Sequence, residues 1–164
     1  MLMLSKIESG DAPKRIPTEI KLEDLAREVL DGLAEKMQSR NIASSIEGSA
    51  TITADQTMIF ELAQNLVSNA IKYNKDGGSI NISIAEATEG AILKVKDTGI
   101  GIEKEHLPRL CERFYRVDKS HSKRIGGTGL GLAIVKHICA ISDAKLSIES
   151  DFGVGTTVSV VFSK

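Results

Sequence analysis

Apolar residues recur at helical spacing in three parts of the chain and alternate with polar ones in several others. Leu22, Leu25, Val29, Leu33 and Met37 fall every three to four positions and predict a helix from about Leu22 to Ser39 with one buried stripe. Ile59, Leu62, Leu66 and Ala70 predict a second, Gln56 to Tyr73, with Asp55 placed to cap its start. A third helix is expected from Leu130 to Ile141, and a short helical stretch around Leu107 to Phe114. Ile80, Ile82 and Ile84 alternate, and Ile92 and Val95 are apolar positions of a second segment. This predicts a hairpin of Ser79–Ala85 and Ala91–Lys96 about Thr88-Glu89-Gly90. Further strands are expected at Thr18–Ile20, Ile42–Ile46, Ala50–Thr53, Lys145–Ser150 and Thr156–Phe162, with the turn Glu47-Gly48-Ser49 between the second and third of these. At the amino end, Leu4 and Ile7 read as the tail of a helix that Gly10 terminates. A linker follows, in which Pro13 and Pro17 exclude regular structure.

Polar positions break the simple amphipathic picture in two places. On the Gln56–Tyr73 helix, Glu61, Asn65, Asn69 and Lys72 form a second stripe about 80° wide beside the apolar one. A polar stripe is usually a solvated face. Asparagine, however, is a modest helix former, so two of them four apart in mid-helix suggest that carboxamide chemistry is needed there. Carboxamide and carboxylate oxygens suit a hard Mg²⁺, and a nearby lysine suits phosphate oxygens. The second place is Gly126-Gly127-Thr128-Gly129-Leu130-Gly131, which runs into the third helix. Glycines allow close backbone approach to an anion, and a helix start offers free N–H groups, so phosphate is the first ligand to consider. The stretch lacks a Gly-Lys-Ser/Thr ending and is not preceded by a clean strand, so it is neither a P-loop nor a dinucleotide fingerprint. Asp97-Thr98-Gly99-Ile100-Gly101-Ile102, at a strand end, is another turn suited to a phosphate or a base. Between the two, residues 103–125 hold seven Lys/Arg and four Asp/Glu, which fits a lid over a polyanion.

Composition narrows the alternatives. At 164 residues the chain suits one domain with a real core. A net charge of −1 gives no global field toward nucleic acid or a membrane surface, and four Phe, two Tyr and no Trp leave little for base stacking. No apolar run approaches the ~20 residues that span a bilayer. Cys111 and Cys139 match no metal pattern. They could form one bridge, although a reduced cytosolic chain is favoured by the absence of a secretion signal.

Five short motifs come in order. They are Asn65-Leu66-Val67-Ser68-Asn69 on a helix, Asp97-x-Gly99-x-Gly101 after a strand, Phe114-Tyr115-Arg116, Gly127-x-Gly129-x-Gly131 before a helix, and Gly153-x-Gly155-Thr156 between strands. This series resembles the asparagine, glycine and phenylalanine boxes of the sensor histidine kinase ATP-binding domain, within the superfamily of gyrase, Hsp90 and MutL ATPases. The resemblance covers essentially the whole chain. It implies an α+β Bergerat fold: a two-layer sandwich of a mixed, largely antiparallel sheet with about three helices on one face and a mobile ATP lid. The element count above agrees. It also divides the chain into residues 1–10, the end of a dimerisation helix, a linker at 11–18, and a catalytic domain at 19–164.

The same resemblance assigns residues. Asn65 is the implied Mg²⁺ ligand, Asn69 lies close to the phosphates, and Lys72 and Arg116 contact them. Tyr73 lies against the adenine or ribose side, Asp97 accepts from the adenine amino group, and Thr156 supports that contact through water. Gly99 and Gly101 with Ile102, and Gly127, Gly129 and Gly131 with Thr128 and Leu130, bring the backbone to ribose and phosphates. Glu61 stands where related ATPases keep a water-activating carboxylate. None of His106, His121 and His137 has the surroundings of the family's phosphoacceptor, which is expected upstream of residue 1. The implied activity is transfer of the ATP γ-phosphoryl group to a histidine of the dimerisation domain, for relay to a response regulator. The implied setting is the cytoplasmic part of a membrane-anchored bacterial sensor kinase, of the phosphate-sensor type, with this chain monomeric on its own. An anti-sigma-type serine kinase, another ATPase of the superfamily, and a non-catalytic nucleotide-binding module are the alternatives.

Overall fold

A computed structural model describes residues 16–109 and 131–163. The expected helix tail at Leu4–Gly10, most of the linker, and the segment holding Phe114, Arg116, Gly127, Thr128, Gly129 and Leu130 lie outside the described residues. The elements run β1 (Pro17–Lys21), α1 (Leu22–Gly32), α2 (Ala34–Ser39), β2 (Ala43–Gly48), β3 (Thr51–Asp55), α3 (Gln56–Lys72), β4 (Ser79–Ala87) and β5 (Gly90–Asp97). A 3₁₀ turn (Lys104–Arg109), α4 (Gly131–Ile141), β6 (Ala144–Asp151) and β7 (Gly155–Ser163) follow. The class is the expected α+β.

Five strands form one sheet in the order β2-β4-β5-β7-β6. Only β2 and β4 are parallel; the other neighbours are antiparallel. Because strand side chains alternate between faces, register decides which residues meet the helices. Ile46, Ile82, Val95, Val158 and Ile148 form one row across the sheet, and Ile84, Leu93, Val160 and Leu146 the next. Apart from Ile148, these rows join Leu22, Leu25 and Val29 of α1, Ile59, Leu62 and Leu66 of α3, and Val135 and Ile138 of α4 in a single core. The opposite face carries Asn81, Lys96, Thr157 and Glu149 in register, a polar row that needs no cover.

Two local expectations come out differently, and one strand pairing goes beyond them. The stripe from Leu22 to Met37 is shared by two helices, so the described residues hold four α-helices. The break falls at Leu33, whose N–H reaches both Val29 O and Leu30 O at 3.2 Å, directly after the weak helix former Gly32. Leu33 and Met37 stay buried through the break, so the periodicity hides it. β2 and β3 flank a turn yet do not pair: β2 joins β4, and β3 pairs antiparallel with β1. Pro17, expected in the linker, opens β1 as its first residue, a place where a missing N–H is tolerated.

Candidate functional site

The site is built on α3. Asp55 caps its first turn by accepting from Met58 N at 3.1 Å, as the sequence suggested, and Ile59, Leu62, Leu66 and Ala70 are buried against the core. Burial of that stripe turns Glu61, Asn65, Asn69 and Lys72 to one side, each half-buried. The Asn65 amide nitrogen folds back onto Glu61, 2.8 Å from its main-chain carbonyl and 3.5 Å from its carboxylate. This commits the donor end of the carboxamide and turns its carbonyl oxygen outward. What it faces is the start of α4. A β-carbon added at Gly131 would lie 3.4 Å from Asn65 Oδ1 and 3.4 Å from Asn69 Nδ2. The two asparagines and the end of the glycine stretch, 66 residues apart by number from Asn65 to Gly131, thus converge. An outward carboxamide oxygen beside the Glu61 carboxylate is a hard-oxygen donor set that fits Mg²⁺.

The second half of the site lies at the end of β5. Strand alternation carries Asp97 to the same face as Leu93 and Val95, so its carboxylate points inward with only 9% exposure. One oxygen, Oδ1, accepts from Gly99 N at 2.9 Å and from Thr156 N at 3.2 Å. Burial pushes the Asp97 pKa upward, and these two backbone bonds pull it partly back. Gly99 has to be glycine for space: a β-carbon there would lie 2.2 Å from Tyr73 O. Gly101 has φ +72 and its β-carbon would lie 2.1 Å from Asp151 O, so both conformation and space exclude a side chain. The same turn is tied to α3, because Ile100 N donates to Tyr73 O at 3.1 Å. Tyr73 is the residue that ends the helix.

Thr156 supports Asp97 directly through its backbone N–H, and its hydroxyl lies 2.8 Å from Ser150 Oγ. Ser150 also accepts from Ile102 N at 2.7 Å and donates to Gly155 O at 3.0 Å. It thereby joins the Asp97 turn to the β6–β7 turn. Sequence reasoning missed Ser150 because a serine on a half-exposed strand carries no signal of its own. It also missed Asn74, buried at 4%, whose amide donates to Ser79 O at 3.0 Å and whose carbonyl accepts from Lys75 N at 2.9 Å and Thr98 Oγ1 at 3.3 Å. A third residue missed is Arg40, which reaches the end of α3. Of the expected site residues, Glu61, Asn65, Asn69, Lys72, Tyr73, Asp97, Gly99, Gly101, Ile102, Gly131 and Thr156 belong to this one end of the molecule. Arg116 and residues 127–130 lie outside the described residues.

Two half-buried asparagines that meet the start of α4 at Gly131, with a buried aspartate at the end of β5, suit a nucleotide-binding domain. Residues 54–164 match the model of the histidine kinase-, DNA gyrase B- and HSP90-like ATPases, and the chain belongs to that family. Among individual proteins, it is 38% identical to the phosphate regulon sensor protein PhoR of Pseudomonas aeruginosa over 99% of the chain and 37% of that protein. It is 36% identical to the sensor histidine kinase YkoH of Bacillus subtilis over the full chain and 35% of that protein. The chain therefore spans little more than a third of these relatives. Among solved structures, the catalytic domain of histidine kinase ThkA superposes with a TM-score of 0.79 at 27% identity, covering 91% of this chain and 96% of that one.

Proposed function

We propose that this chain is the ATP-binding catalytic domain of a two-component sensor histidine kinase. Residues 19–164 would form that domain, 11–18 a linker and 1–10 the end of a dimerisation helix. The observation that carries the reading is the convergence of Asn65 Oδ1 and the Asn69 amide on Gly131, in a chain of this ATPase family. The relatives' names, all sensor proteins or sensor histidine kinases, favour the kinase over other members of the superfamily.

Asp97 would recognise adenine. With Oδ1 held by two N–H groups, Oδ2 accepts from the adenine amino group, and that acceptor disfavours the guanine carbonyl at the same place. Asn65 would hold Mg²⁺, which supplies charge neutralisation at the phosphates when bound. The Glu61 main-chain carbonyl, 2.8 Å from the Asn65 amide nitrogen, helps aim the ligand oxygen, and the Glu61 carboxylate stands beside it. Asn69, Lys72 and Arg116 would align the phosphate chain, and the closing glycine stretch would exclude water from it. In the step itself, a histidine nitrogen of the dimerisation domain bonds to the γ-phosphorus while the bond to the β-phosphate oxygen breaks, and ADP leaves. A response-regulator aspartate then takes the phosphoryl group. No helix among the described residues is long and apolar enough to cross a membrane.

The test is phosphoryl transfer in trans. Incubated with Mg·ATP and a histidine-bearing dimerisation domain, the chain should place acid-labile, alkali-stable phosphate on that domain. A serine ester, or phosphate release alone, would sink the kinase reading.

A further inference from the structure

We infer that Arg40 is a positioning residue for nucleotide binding, a clamp that holds the end of α3 against the adenine-side turn; this rests on the ATP-site reading above. Arg40 directly follows α2 and lies far from the motifs in sequence, yet its guanidinium reaches across to the carboxyl end of the asparagine helix. Nη1 donates to Ile71 O and, at 3.4 Å, to Lys72 O, and Nη2 donates to Asn74 O. Carbonyls in a helix's last turn have no partner within the helix, and the helix dipole makes that end negative. A planar cation with several fixed donors suits this task, and lysine, a point charge, does not reproduce it. The main chain of Arg40 adds to the hold by accepting from Gly77 N at 2.9 Å. Nε pairs with Asp76 at 3.0 Å, but Asp76 is 80% exposed, so this ion pair contributes little.

The clamp matters because of what hangs from it. Between the held carbonyls of Lys72 and Asn74 lies Tyr73, whose own carbonyl accepts from Ile100 N and packs against Gly99. Asn74 continues the chain of contacts, through Thr98 Oγ1, to the residue beside Asp97. Arg40 meets the site only through main-chain carbonyls, and the backbone it holds sets the distance between Lys72 on one side and the Asp97 turn on the other. Loosening it should let the Tyr73–Ile100 contact open and weaken nucleotide binding without changing chemistry at saturation.

Three variants test this in the full chain: Arg40→Ala, Arg40→Lys and Asp76→Ala. Hydrogen exchange of the Ile100 amide should speed up about tenfold in Arg40→Ala, with the β6–β7 amides unchanged. Arg40→Lys should recover only part of the protection, and Asp76→Ala should match the parent. The KM for ATP in trans-phosphorylation should rise about tenfold in Arg40→Ala while kcat changes less than twofold. Unchanged Ile100 exchange in Arg40→Ala overturns the clamp whether or not ATP binds. So does an equal loss in Asp76→Ala, which would place the effect in the ion pair. Failure of the parent chain to bind ATP would instead count against the site reading, since the exchange measurement needs no nucleotide.

Discussion

Asp97 is a buried carboxylate whose proposed role in recognition comes with a cost to stability. Its pKa is raised above the ordinary 3.8, with desolvation the leading cause. The folded chain therefore keeps this proton to higher pH than the unfolded chain does. Asp97 consequently opposes folding above its raised pKa, and the penalty disappears as the pH falls below 3.8. Asparagine could keep both backbone bonds through its carbonyl oxygen while carrying no charge. Asp97→Asn should thus unfold at a temperature equal to or above the parent's at pH 7, and this advantage should shrink toward pH 4. The same substitution puts a donor where adenine offers a donor, so ATP affinity should fall more than tenfold and preference over GTP should erode. Calorimetric titration together with thermal melts checks both halves; a variant that melts several degrees lower would show the carboxylate to be structural. For Asn65, half-buried and outside the core, Asn65→Ala should leave the fold intact and abolish Mg²⁺-dependent ATP binding. Equal ATP affinity in the parent and the variant with Mg²⁺ present would remove it as the metal ligand.

At the scale of elements, α3 does two jobs with two stripes. Its apolar stripe is core, so Leu66→Ala should cost about 2–5 kcal/mol in denaturant unfolding, the range for a large core side chain reduced to alanine. Its polar stripe is aimed only because the apolar one is buried. The Asp97 turn depends on a different kind of fit. Gly99→Ala would drive a β-carbon to 2.2 Å from Tyr73 O, and main chain cannot yield as a flexible side chain can. The turn must move, at about 1–3 kcal/mol of strain. Nucleotide binding should suffer more than stability, a difference seen by comparing ATP titrations with urea unfolding. These contacts were only partly legible in advance. The asparagine spacing and the Asp-x-Gly-x-Gly turn announce themselves in the sequence, because unusual residue types at fixed offsets carry information. Ser150, Asn74 and Arg40 do not, because their roles come from partners 48, 24 and 31 to 34 residues away.

For the molecule as a whole, the two halves of the site sit on elements that share one core, so ligand and fold should report on each other. ATP at about 100 times its Kd, with Mg²⁺, should stabilise the chain by about 2.7 kcal/mol. For a chain of 164 residues that is a rise of roughly 5–10 °C in Tm, and Asn65→Ala should abolish it. A full thermal shift without Mg²⁺ would contradict the role given to Asn65.

By itself the sequence determined the local elements, because side-chain periodicity is a local property: the three buried helical stripes, the β4–β5 hairpin and the cap at Asp55 were all readable from it. It also determined the family, through five motifs whose order survives the absence of any coordinates. Tertiary structure alone decided the pairings, since nothing local tells β2 to lie parallel to β4 or β3 to leave with β1. It also decided the break at Leu33, which keeps the stripe in phase and so leaves no mark on the pattern. Above all it decided the meeting of Asn65, Asn69 and Gly131 and the hold of Arg40 on α3. These are contacts across long stretches of chain, and only the packing of helices on a sheet creates them.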